Sequence, residues 1–284
     1  MSKVVNREKH RQGIGLELVE TCFKNNATVV ALIRDGKKGR QLFEDIRQKY
    51  PKSTGEIDSY YMDLSKMNTV MDAALYVIQN YRKVDVLINN GAIGTLTSHQ
   101  LTTTGNELVM QTNYFGPLFL TLQLLPLIRS TKGRIISMSS FVYEYWRFDK
   151  NFHRNTSEYS SVQAYANSKL AIVGMTIKLA ELIDSDECTI VCASPGIVDT
   201  PISKYFTNAA FGPLWSDKLY PLTSYVTRRL FKSPHTASSQ IMSLATIKNP
   251  NKFHGQYVSQ HMITRVAKGR ELFYEIWNDS FKVC

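Results

Sequence analysis

Nothing in the 284 residues approaches the ~20 consecutive apolar positions that a membrane-spanning helix requires. Linkers, internal repeats and low-complexity blocks are missing too, so residues 1–284 are expected to form a single domain. Cysteine is scarce: Cys22, Cys188, Cys192 and Cys284 show neither metal-ligand spacing nor a disulfide pattern. That excludes a zinc site and a disulfide-stapled scaffold, makes these cysteines packing residues, and fits a reducing compartment. The Asn-x-Ser/Thr matches at Asn26, Asn155 and Asn278 carry no weight without a signal peptide. The expected location is cytoplasmic, or peripheral on an intracellular membrane.

Acidic residues are the minority, 24 against 34 basic ones, for a formal net charge of +10. A nucleic-acid binder would cluster that charge. Here it is scattered among acids, as in Arg34-Asp-Gly-Lys-Lys-Gly-Arg40 and Arg47-Gln-Lys49, so no nucleic-acid partner is expected. The same cationic surface suits an anionic cofactor or a peripheral membrane contact.

What is present is an alternation of short apolar runs with helical patterns. Ile14 to Asn25 reads as a helix, Thr28 to Ile33 as a strand, Lys38 to Tyr50 as a helix stopped by Pro51, and Lys66 to Tyr81 as another helix. Val84 to Ala92, Gly133 to Ser140 and Thr189 to Thr200 read as buried parallel strands ending in turn or hydroxyl residues. Between them lie a long helix over Glu107 to Arg129, with a break expected at Gly116 and Pro117, and a helix carrying Tyr165 and running to about Ile183. The fold class is therefore α/β, a Rossmann-like doubly wound parallel sheet with helices on both faces. Its ligand crevice lies at the carboxyl ends of the strands. Asn89, Ser140 and Pro195 fall at such ends.

Tyr165 and Lys169 are four apart on a helix and project from one face. A phenol of pKa ~10 is a poor acid or base at neutral pH, and a nearby ammonium stabilises its phenolate. Alone, the spacing arises by chance in many helices. Together with Asp63-Leu64, Asn89-Asn-Gly-Ala92, Asn113 in Gln-Thr-Asn-Tyr-Phe-Gly116, Ser140 and Pro195-Gly-Ile-Val-Asp-Thr200, it resembles the short-chain dehydrogenase/reductase family over roughly residues 3 to 260.

The resemblance implies roles. Ser140 would hydrogen-bond the substrate oxygen, with Ser139 its rival, and Tyr165 would exchange a proton with that oxygen. Lys169 would hold the nicotinamide ribose and lower the Tyr165 pKa. Asn113 would anchor a water linking Lys169 to solvent. Tyr165 and Lys169 count as cofactor contacts as well. Arg34, just after the second strand, would grip a 2′-phosphate, so NADP(H) is preferred, while Asp35 one position later keeps NAD(H) open. Asp63 and Leu64 would meet the adenine, Asn90 and Gly91 the adenosine wall, and Pro195, Gly196, Val198 and Thr200 the nicotinamide.

The family's first motif is where the chain departs from pattern. Of Thr-Gly-x-x-x-Gly-x-Gly only Gly13, Ile14 and Gly15 survive. Glu8 and Lys9 stand at the threonine and first-glycine positions, and Asn6 and Arg7 fall in the expected first strand over 3–7. Three explanations stand: phosphate contacts from Lys9, His10 and Arg11, a degraded strand in a catalytically impaired binding protein, or a truncated or alternative product. The Asn-Asn-Gly-Ala order is a second, milder departure.

Two segments, about 141–161 and 203–232, fall where the family builds its substrate loop and lid. They are rich in aromatics such as Tyr145, Trp146, Phe206 and Trp215. An aromatic wall favours a bulky lipophilic carbonyl or alcohol, a small-molecule substrate of retinoid, steroid, isoprenoid or xenobiotic type, over a sugar or small acid. The insert length and the Leu272-Phe-Tyr-Glu-Ile-Trp277 segment resemble the retinol dehydrogenase-like branch. Oligomeric state is left open.

Overall fold

The structure, a computed structural model, describes residues 13–96, 98–145, 159–198, 232–259, 262–264, 266 and 270–283. The strand expected over 3–7, Thr200 and residues 146–158 and 203–231 of the two lid segments lie outside the described residues.

Helix α1 (Ile14–Lys24) leads into β1 (Thr28–Ile33), a run of β-branched and aliphatic residues. Helix α2 (Gly36–Lys49) begins at Asp35, whose side chain accepts from the Lys38 N–H at 3.0 Å, and ends at Tyr50, before Pro51. Strand β2 (Glu56–Tyr61) and α3 (Met67–Asn80) follow, then β3 (Val86–Asn89). A helical turn α4 (Leu108–Met110) runs through a π turn (Gln111–Phe115) into α5 (Gly116–Arg129). The break expected at Gly116 and Pro117 is absent. Pro117 sits in the first turn of α5, where no N–H is needed, and the irregularity falls one segment earlier, in the π turn.

Strand β4 (Arg134–Met138), the long helix α6 (Ser161–Leu182) and β5 (Thr189–Ser194) form the centre. Ser160 caps α6 by accepting from the Gln163 N–H. Helix α7 (Pro234–Thr246), β6 (Tyr257–Ser259), β7 (Met262–Thr264) and α8 (Arg270–Val283) complete the described chain.

Among the described residues, the strands form two sheets: β1 with β2, and β3-β4-β5-β6-β7 in that order. Every pairing is parallel except β6 with β7, an antiparallel edge that the sequence pattern does not announce. Helix α1 reaches both sheets. Leu18 packs with Ile136, Val191 and Val258 of the larger sheet, and Phe23 packs with Ala31 and Ile57 of the smaller.

Side chains alternate between the two faces. Ile135, Ile190 and Tyr257 face a core shared with α5, α6 and α8, whereas Ile136, Val191 and Val258 face Leu18 of α1 and Ile241 of α7. Arg134, at the start of β4, caps α7 by donating to the carbonyls of Leu244 (3.0 Å) and Ile247 (2.7 Å). Helix α8 lies on α6 so closely that a Cβ on Gly174 would come within 3.0 Å of Phe273 Cδ1.

The small sheet is tied to α3 through Asp58. Its Oδ2 accepts from the hydroxyls of Tyr76 (2.5 Å) and Tyr81 (2.6 Å), and its Oδ1 accepts from the Ser59 N–H (2.7 Å). Partial burial raises the carboxyl pKa, but these bonds outweigh it and hold the group below its ordinary value. A depressed folded pKa stabilises the fold above the unfolded value, and that contribution disappears as pH falls through the folded value. Asp58→Asn should therefore lower stability at neutral pH by about 1–2 kcal/mol and flatten the acid limb of the stability curve. Thermal melts from pH 7 down to pH 3 check this; an acid limb identical to wild type would contradict it.

Candidate functional site

The sequence-predicted chemical residues converge at the carboxyl end of β4. Tyr165 and Lys169 lie one turn apart on α6 and are only 5% and 3% exposed. The Lys169 ammonium stands 5.5 Å from the centre of the Tyr165 ring and donates to the Met138 carbonyl at 3.0 Å. Ser140 is half-buried two residues past β4 and lies near enough to the Tyr165 phenol to oppose the effect of its burial. The Ser139 hydroxyl donates to the Lys169 backbone carbonyl at 2.8 Å.

One electrostatic expectation needs correction. Burial pushes the Tyr165 phenol above its ordinary value, and the opposing influence is Ser140 rather than the Lys169 charge. Burial also pushes Lys169 down, to about 8, against a smaller upward effect from Cys192. Both groups are desolvated together, and each is moved toward its neutral form.

Asn113 lies in the π turn and is 1% exposed. Its Oδ1 accepts from the Ile93 N–H (2.8 Å), while its Nδ2 donates to the Ile93 carbonyl (3.0 Å) and to Ser168 Oγ (3.0 Å). Ser168 in turn donates to the Tyr165 carbonyl. Both amide hydrogens are thus committed. Only the second lone pair of Oδ1 is left for the water that the sequence reading placed on this side chain.

The predicted cofactor residues line the strand ends. Gly13 starts α1 with no side-chain cap, and its carbonyl accepts from the Leu16 N–H at 3.1 Å. Ile14 packs on the core of the larger sheet. A Cβ on Gly15 would fall 2.8 Å from Asn90 Nδ2, and one on Gly91 2.9 Å from Leu64 Cδ1, so these glycines permit a close approach of α1, the β3 turn and the β2 turn. Asp63 accepts at Oδ1 from the Ser65 N–H and hydroxyl, which leaves Oδ2 open. Arg34 is exposed directly after β1, and no ion pair engages it among the described residues.

Past β5, Pro195 and Gly196 turn the chain, Gly196 with φ +80, and Val198 is buried and bridged to Lys232. An uncapped helix start, glycines at the strand turns and an unpaired guanidinium fit a dinucleotide.

Residues that motif reading passed over also build the site. Glu107, 1% exposed, accepts from the N–H groups of Val109 (3.0 Å) and Met110 (2.8 Å) and from the Tyr159 hydroxyl (3.2 Å). It thereby ties the segment entering α6 to α4. Its only sequence signal is an acidic residue at a helix start. Beside Tyr165, the side chains of Val109, Ala164, Ile93, Leu96, Val142 and Tyr159 form an apolar cluster.

Known proteins match this arrangement. The sequence pattern described as short chain dehydrogenase fits residues 10–210. Retinol dehydrogenase 13 of Mus musculus is 26% identical over 278 residues, covering 95% of this chain and 80% of that protein. Retinol dehydrogenase 14 of Homo sapiens is 27% identical over 259 residues, covering 86% and 74%. Polyprenol dehydrogenase of Danio rerio is 28% identical over 202 residues, covering 67% and 60%.

Among solved structures, L-sorbose reductase from Gluconobacter frateurii, complexed with NADPH and L-sorbose, superposes with a TM-score of 0.66. The two share 18% identity, with 91% of this chain and 95% of that one covered. An uncharacterised protein from Mycobacterium paratuberculosis gives 0.70 at 20% identity, covering 96% and 89%. With the family pattern spanning more than half its length and retinol dehydrogenases among its relatives, this chain belongs to the short-chain dehydrogenase family of oxidoreductases, which act on alcohols and carbonyls.

Proposed function

We propose that the protein transfers a hydride between NADP(H) and a lipophilic carbonyl/alcohol pair of retinoid, steroid, isoprenoid or xenobiotic type, with Ser140, Tyr165 and Lys169 as the chemical group. The observation that carries this reading is the convergence of Ser140 with the buried Tyr165 and Lys169 at the carboxyl end of β4, the Lys169 ammonium 5.5 Å from the centre of the Tyr165 ring.

When bound, the cofactor supplies the hydride. The chain does the rest. In the reductive direction, Ser140 orients the substrate oxygen by hydrogen bonding, and Tyr165 delivers the proton to it. Burial keeps Tyr165 protonated at neutral pH, which suits a donor. Lys169 holds the ribose and supports the phenolate that the proton transfer leaves. Asn113 positions the catalytic helix through Ser168 and the loop after β3 through Ile93.

Arg34 would hold the 2′-phosphate, the start of α1 at Gly13 to Gly15 the pyrophosphate, Asp63 the adenine, Asn90 and Gly91 the adenosine, and Pro195, Gly196 and Val198 the nicotinamide. NADP(H) is favoured over NAD(H) because Asp35, the acidic residue nearest the ribose position, already caps α2 through the Lys38 N–H, while Arg34 is free to bind an anion. The apolar cluster beside Tyr165 supports a lipophilic substrate. The net positive charge supports peripheral contact with an anionic membrane, and no described helix is long and apolar enough to cross one.

Two measurements test this reading. NADPH titrated into the folded protein should bind in the micromolar range, and Arg34→Ala should weaken it about tenfold or more with little change for NADH. Equal effects on both cofactors would remove the 2′-phosphate assignment. In turnover with NADPH and a panel of lipophilic aldehydes, Tyr165→Phe should lower kcat by about 10²–10⁴-fold and leave NADPH affinity within a few-fold. A variant as active as wild type would remove Tyr165 from the chemistry.

A further inference from the structure

Lys232 is half-buried at the carboxyl edge of the larger sheet, and the fold makes no use of its charge. Its N–H donates to the Ile197 carbonyl at 2.9 Å, and its backbone forms a parallel bridge to the buried Val198. That fixes where the side chain starts. The stem then crosses Gly196: a Cβ added there, at φ +80, would meet Lys232 Nζ at 3.5 Å, Cε at 3.6 Å and Cδ at 3.8 Å. A methylene stem accounts for this packing, and the ammonium adds nothing to it.

The charge also stands at the unfavourable end of a helix. Ser233 caps α7, its hydroxyl accepting from the Thr236 N–H at 3.1 Å, and Pro234 opens the helix. Lys232 directly precedes that cap, where the helix dipole disfavours a cation. No ion pair engages it among the described residues. An ammonium fixed in such a place, with no carboxylate to offset it, is suited to an anion.

The neighbouring helix says which anion. The bridge to Val198 starts α7 just beyond the carboxyl end of β5, and α1 starts on the same side, with Gly15 against Asn90 just past β3. Cys22 Sγ approaches Met242 Sδ at 3.7 Å, and these are the ninth residues of α1 (from Ile14) and of α7 (from Pro234). Helices that run the same way and meet at equal depth begin level. The chain entering α7 therefore stands beside the start of α1, at a helix packing distance of about 8–10 Å.

We propose that Lys232 is a further cofactor-binding residue, its ammonium donating to the diphosphate of the nicotinamide dinucleotide between the start of α1 and Gly196. The glycine motif at α1 is reduced to Gly13, Ile14 and Gly15, and Lys232 replaces part of the contact that the altered motif lacks. This inference rests on the cofactor reading above and deepens it. It assigns Lys232 to a group that NADPH and NADH share, whereas Arg34 is assigned to the 2′-phosphate that NADPH alone carries.

The test is binding, read without turnover. Lys232→Met keeps the stem over Gly196 and removes the charge, while Lys232→Arg keeps the charge. By nicotinamide fluorescence, Lys232→Met should raise the Kd of NADPH and of NADH by the same factor, about 10- to 100-fold, and Lys232→Arg should stay within a few-fold of wild type. Without nucleotide, both variants should melt with the wild type. A Kd unchanged for both nucleotides overturns the inference and leaves the cofactor reading intact. A loss confined to NADPH moves the ammonium to the 2′-phosphate and overturns it as well. A folded wild type that binds neither nucleotide removes the cofactor reading and this inference together. If Lys232→Met does not fold, Lys232→Gln is titrated in its place against the same outcomes.

Discussion

Asn113, within the π turn, is buried where the loop after β3 and α6 meet, and its carboxamide bonds to both. A buried amide that lost one of these partners would leave a polar group stranded in a low-dielectric interior, which costs about 1–3 kcal/mol. The clasp therefore fixes several distances at once. Ile93 is held at both its N–H and its carbonyl, so the loop that carries the apolar wall beside Tyr165 cannot slide. Ser168 is held one residue from Lys169, which sets the rotation of α6 about its axis. The π turn gives Asn113 this reach, since one extra residue in a turn rotates the side chains that follow.

Desolvation, more than direct charge pairing, governs Tyr165 and Lys169. Tyr165 is moved up and Lys169 down, both by burial, and each shift favours the neutral form. Lys169 bonds a backbone carbonyl and not the phenol oxygen. At a value of about 8, Lys169 still carries its charge at neutral pH beside a neutral Tyr165, and that cation is placed to meet the charge of an anionic dinucleotide.

Much of this was legible in the sequence because the central strands are short, apolar and bounded by turn residues. The strand Thr28–Ile33 and the helix carrying Tyr165 fall where their patterns place them. Other features were not legible, for identifiable physical reasons. The π turn has no periodicity signature, because a single extra residue disturbs the 3.6-residue pattern less than ordinary sequence variation does. The antiparallel β7 follows so short a β6 that no alternation can be counted. Glu107 resembles an ordinary helix-start acid, and only burial shows that it bonds Tyr159 across 52 residues. The expectation that Lys169 would lower the Tyr165 pKa came from the spacing of two side chains. Spacing fixes proximity and says nothing of how dry the surroundings are.

Helix α8 gives the fold a late step. Phe273, Ile276 and Trp277 bury themselves against α6, with Phe273 pressed over Gly174 where no larger residue would fit. Tyr114 and Ser280 bond across 166 residues, and Tyr274 reaches Glu181 and lies under Lys178. During synthesis, the outer side of the catalytic helix is exposed until residues 270–283 have left the ribosome. Contacts this distant in sequence form slowly. The growing chain therefore carries an uncovered apolar seam along α6 from the synthesis of residue 182 until that of residues 270–283.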